Sequence, residues 1–95
     1  MRPTIVVTRH PGLVEYLREV GLIGPEAEVI AHATADQVRG RRVIGVLPLA
    51  LAALAQDVTE IPLAMAPADR GVELTCARVR QLAGPAVTYR VVVSA

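Results

Sequence analysis

Residues 4–8 (TIVVT) are β-branched throughout, and an unbroken run of this kind predicts a buried strand. Pro11 then stands where a first helical turn tolerates proline. Leu13, Leu17 and Val20 form an apolar stripe behind it, Glu15, Arg18 and Glu19 point to water, and Gly21 stops the helix. Residues 28–32 (EVIAH) read as a second strand and 34–38 as one helical turn capped by Thr34. The turn Arg39, Gly40, Arg41, Arg42 introduces a third strand over 43–47. Pro48 repeats the first junction, and 49–56 continue as a helix with almost no polar face. Such a helix needs cover on both sides. The sheet supplies one side, and a second subunit is expected on the other. A fourth strand is predicted over 59–65, a polar loop over 67–73, a helix from its Thr75 cap to Leu82, and a last strand over 87–93. Gly84 and Pro85 end that helix.

Strands alternating with helices at such short spacing predict an α/β fold, an open and mostly parallel sheet with helices on its faces. Residues 1–95 have room for one domain and one core. In sheets of this kind ligands bind beyond the carboxyl ends of the strands, so the residues just after strands one, three and four become the first candidates.

Composition sharpens this picture in three ways. The chain is 53% hydrophobic but lacks Phe and Trp, with Tyr16 and Tyr89 as its aromatics, so many small side chains must fill the core. Surplus apolar surface on so small a body predicts a two-fold homodimer. The net charge of +1, ten Arg against nine acidic residues, argues against a general coat for duplex DNA while leaving room for one small anion. Cys76 is the single cysteine and the two histidines stand far apart, so neither a disulfide framework nor a metal set is expected, and no cofactor. Residues 43–55 are the most apolar stretch, but Gly45 and Pro48 interrupt it short of a membrane span. Without an export pattern at its start, the chain is expected to be cytoplasmic.

The residues with chemical capacity gather at the predicted junctions. In Thr8, Arg9, His10, Pro11 and Gly12 a strand end meets a helix start. The first-turn amides of Gly12 and Leu13 lack helical partners there and can hold an anion. Thr8 adds a hydroxyl, Arg9 a charged fork, and His10 a donor or proton shuttle; the plainer alternative has Thr8 in the core and His10 as a cap. At the third strand's end, Gly45 permits close approach and Pro48 starts the next helix, without the lysine or second glycine of a phosphate-loop fingerprint. In the loop around Asp69 and Gly71, Arg70 can clamp a phosphate and Glu73 can orient it or accept a proton, or the loop is simply solvated. His32 sits at a strand end and can line the same cleft or serve structure. Arg42, with Arg39 and Arg41, can attract an anion, and a solvated turn is the alternative.

Val7–Gly12 (VTRHPG), Ala31 with His32, residues 43–48 (VIGVLP), 51–53 (LAA) and 70–75 (RGVELT), taken in order, resemble a family of small CRISPR-associated proteins of type III systems, reported as ring nucleases. The resemblance spans most of the chain. It departs at Ala33 and Thr34, where the family has Leu and an acidic residue, and at Ala64–Ala66, where an acidic position is lost. It implies a small Rossmann-like dimer that binds cyclic tetra-adenylate across the subunit interface and cuts it. A ribose 2′-hydroxyl can attack the adjacent phosphate without a protein nucleophile or metal, leaving a 2′,3′-cyclic phosphate. On that reading Arg9, amides near Gly12 and Arg70 stabilise phosphate charge, and His10 moves the proton. Binding without turnover is the alternative.

Overall fold

The computed structural model describes residues 3–94. Five strands form one sheet in the order β2-β1-β3-β4-β5. They are β1 (Ile5–Val7), β2 (Glu28–Ile30), β3 (Arg42–Gly45), β4 (Asp57–Glu60) and β5 (Val87–Tyr89). The first four run parallel, and β5 pairs antiparallel with β4 through Val58–Tyr89 and Glu60–Val87. This is a small Rossmann-like α/β fold, as the alternation of elements predicts. Four helices connect the strands: α1 (Pro11–Glu19), α2 (Ala35–Val38), α3 (Leu49–Ala52) and α4 (Cys76–Leu82).

The pleat of β1 explains why helices cover both faces. Val6 points to one side with Leu13 and Leu17 of α1, Ile44, and Leu74, Val79 and Leu82 of the α4 region. Ile5 and Val7 point to the other, with Val38, Val43, Ala52 and Val58. Alternate residues of a strand address opposite faces, so an all-apolar strand has to lie between two layers. Each such aliphatic side chain contributes about 1.5–3 kcal/mol when fully buried.

Local chemistry sets the element ends. Thr34 and Gln37 form a reciprocal cap on α2, with Thr34 N donating to Gln37 Oε1 at 2.8 Å and Gln37 N to Thr34 Oγ1 at 3.4 Å. Thr75 caps α4 through Arg78 N at 3.1 Å. Arg41 is buried rather than solvated. Its guanidinium donates to the Pro3 carbonyl at 3.1 and 2.8 Å, to Glu28 Oε1 at 3.1 Å and to the Gln37 carbonyl at 3.2 Å, tying the starts of β1 and β2 to α2.

Several expected boundaries move, among them the ends of β2 at Ile30 and β3 at Gly45, each two residues short of expectation. The helix predicted over 49–56 is the single turn α3, because the chain then bends back so that Gly40 N donates to the Leu54 carbonyl and Gln56 N to that of Arg41, at 2.9 and 2.8 Å. The fourth strand is 57–60 instead of 59–65: Pro62 has no N–H for the ladder, and Leu63 returns only as an isolated bridge to Ala83. Strand β5 stops at Tyr89, leaving Val92 and Val93 exposed. On α1, Val14 takes the core place expected for Val20, which lies past the last helical residue and is exposed. Among the described residues no helix is long and apolar enough to cross a membrane.

Candidate functional site

The chain leaves β1 toward β2 on one side and returns to β3 on the other, so the crossovers diverge between the carboxyl ends of β1 and β3. An open α/β sheet binds ligands at such a point, where neighbouring loops part to leave a crevice. A cleft of about 430 Å³ lies there, in the size range of small-molecule sites. Thr8, Arg9, His10 and His32 supply its polar rim, while Leu13, Ile44, Val46, Ile61 and Leu63 supply an apolar wall.

The β1 end is shaped by its own side chains. Thr8 Oγ1 accepts the His10 N–H at 3.1 Å, bending the backbone between strand and helix. His10 occupies the N-cap position with an extended backbone, yet its ring makes no capping bond and lines the cleft instead. Arg9 Nη2 donates to His32 Nε2 at 3.3 Å, drawing the β2 exit against the β1 exit. Across the cleft, Gly45 has φ +140°, and a Cβ there would sit 2.2 Å from the Val7 carbonyl oxygen. The crevice floor therefore has no room for a side chain at this position.

The amide cradle is narrower than expected. Leu13 N donates to the His10 carbonyl at 3.0 Å, which occupies one of the two amides counted as unpaired. Gly12 serves packing. A Cβ on it would lie 2.1 Å from the Leu74 carbonyl oxygen, so the first turn of α1 rests directly on the backbone entering α4.

The structure thus brings Thr8, Arg9, His10, His32 and Gly45 together and leaves the other candidates outside the cleft. Gly12 and Glu73 share a separate depression with Pro11 and Thr75 on the far side of the helix start. Arg70 is exposed on the turn that follows Asp69. Pro48 begins α3 on the opposite layer. Arg42 stands at the amino end of β3, paired with Asp57 at 3.5 Å, and so at the wrong end of the sheet for this cleft.

Two of the ion pairs that escaped the sequence reading anchor α4. Asp69 is buried, receives both Nε and Nη2 of Arg78 at 2.8 and 2.9 Å, and accepts Ala66 N at 2.8 Å. Hydrogen bonds from Arg78 and then from the Ala66 amide hold its carboxyl below the usual aspartate range. Glu19 takes a bidentate grip from Arg80, at 2.9 and 2.7 Å, joining α1 to α4; the Arg80 hydrogen bonds lower its carboxyl likewise. Cys76 Sγ lies 3.7 Å from Arg80 Nη2. The apolar wall was missed as well. Ile61 and Leu63 follow β4 directly, but the expected strand ran through both.

Fold and cleft together define a small Rossmann-like protein with a crevice at its topological switch point, rimmed by Thr8, Arg9, His10 and His32. The chain belongs to the family described as "Putative CRISPR-associated protein (Cas_VVA1548)", whose model matches residues 5–92. Neither the curated proteins nor the solved structures compared with it give a significant match.

Proposed function

We propose that the protein is a ring nuclease that binds cyclic tetra-adenylate and opens it at a phosphodiester. The observation that carries this reading is the two-sided cleft: cationic and hydrogen-bonding on its Thr8–His10 and His32 rim, aliphatic on the wall opposite. Membership of a CRISPR-associated family supports the reading. A phosphodiester matches the rim and a purine the wall.

In the reaction the 2′-oxygen of a ribose bonds to the adjacent phosphorus as the bond from phosphorus to the 5′-oxygen breaks. The 2′-hydroxyl proton passes to a base, the 5′-oxygen gains a proton, and the products are a 2′,3′-cyclic phosphate and a 5′-hydroxyl. His10 moves a proton at this centre and Arg9 neutralises the phosphate. A homodimer presents two such rims to opposite phosphates of a four-membered ring. The exposed apolar surface around Val46, Leu49 and Tyr89 supports that state, and the small net charge supports little affinity for duplex DNA.

Arg70 and Glu73 fall outside the cleft of one subunit, which favours a second reading: a protein that sequesters the ring without cutting it. Incubation with cyclic tetra-adenylate in chelator, with the product ends identified by mass spectrometry, separates the two. Linear product ending in a 2′,3′-cyclic phosphate is expected. Tight binding without product leaves sequestration, and neither binding nor cleavage overturns both.

A further inference from the structure

We propose that the Arg9–His32 pair makes anion binding in the cleft proton-coupled, with His32 changing from acceptor to donor as the phosphate arrives. This rests on the cyclic-nucleotide reading of the site. A guanidinium carries donors only and stays charged, so the imidazole nitrogen 3.3 Å from Arg9 Nη2 must accept. An imidazole that accepts at Nε2 carries its own proton on Nδ1. Both side chains are exposed at the mouth, so a phosphate can reach Arg9 from solvent. Once phosphate oxygens take the Arg9 donors, the nitrogen that had accepted from Arg9 faces an anion. A proton from solvent on Nε2 then turns a lost acceptor into a second charged donor.

The surroundings support this exchange. Across the cleft, Gly45 and Val46 at the end of β3, and Ile61 and Leu63 after β4, bring no ionisable group to the pair. From the α1 side the ionisable neighbours are His10 in the cleft, and Glu15 and Arg18 in the adjoining depression that Arg9 also lines. No carboxylate lines the cleft itself to supply the charge balance that an incoming anion would provide. Histidine is the side chain whose ordinary titration falls between pH 5 and 8. Affinity is therefore expected to fall as pH rises through neutrality, by up to about tenfold per pH unit for each proton taken up.

Two measurements test this. Imidazole nitrogen NMR of the ligand-free protein at pH 8 should show His32 as the Nδ1–H tautomer, a preference that Arg9→Ala weakens. An Nε2–H tautomer, or a tautomer balance indifferent to Arg9→Ala, overturns the pair whatever the ligand. Calorimetric titration with cyclic tetra-adenylate, in buffers of different ionisation heat, should show net proton uptake that His32→Gln abolishes. Ring binding without uptake, or uptake unchanged in His32→Gln, overturns this inference and leaves the proposed function standing. Failure of the ring to bind overturns both.

Discussion

His10 occupies a cap position without using its ring as a cap, so its imidazole remains available for a substrate. A positioned acid–base group contributes about 10²–10⁴-fold to a rate. In His10→Ala, single-turnover cleavage of cyclic tetra-adenylate should slow by about that range while ring affinity changes much less. His10→Gln keeps a donor but cannot shuttle a proton near neutral pH, so it should rescue binding geometry and not rate. A His10→Ala protein that cuts at the wild-type rate moves proton transfer elsewhere. Gly45 makes a different kind of demand. Its φ of +140° and the 2.2 Å approach of the Val7 oxygen leave no place for a methyl group. Gly45→Ala should cost at least ~1–3 kcal/mol in urea unfolding, from backbone strain and overlap. An unchanged midpoint would contradict the packing described for the cleft floor.

At the scale of elements, the loop before α4 is held by a buried carboxylate. The folded state depresses the Asp69 carboxyl, so its contribution to stability is full above the ordinary unfolded aspartate range, near pH 4. It is lost as pH falls through the lower folded value. The stability gap between the wild-type protein and Asp69→Asn should accordingly be widest at neutral pH and narrow below about pH 4 in pH-dependent thermal melts. A gap that widens on acidification would reverse the assigned role.

This loop also shows what the sequence could and could not convey. The residues that cap α2 and α4 were legible because Thr34 and Thr75 act on amides three residues away. The alternation of strands and helices was legible because hydrophobic period is a local property. Asp69 and Arg78 meet across nine positions, and Glu19 and Arg80 across sixty-one, so nothing local marks either pair. Residues 49–56 failed for a related reason. Their apolar pattern suits a helix, but hydrogen bonds to Gly40 and Arg41 fold the chain away after one turn. Of the site, the β1 junction was visible from a strand end meeting a proline-started helix. The wall beyond β4 was hidden by a strand boundary set by Pro62.

For the molecule as a whole, the short α3 relocates the expected dimer contact. Leu51 is partly buried against the α2–α3 layer, so changing it disturbs the core; Leu49 is 75% exposed beside Val46 and Tyr89. Leu49→Arg should therefore shift the protein toward monomer in light scattering with little loss of thermal stability. A wild-type protein that is already monomeric at high micromolar concentration would overturn the dimer.

The seat of Gly12 on the Leu74 carbonyl has a mechanical consequence. A joint without slack transmits displacement, and here it links the turn carrying His10 to the chain that continues from Arg70. Any displacement of the first turn of α1 has therefore to be shared by the backbone entering α4.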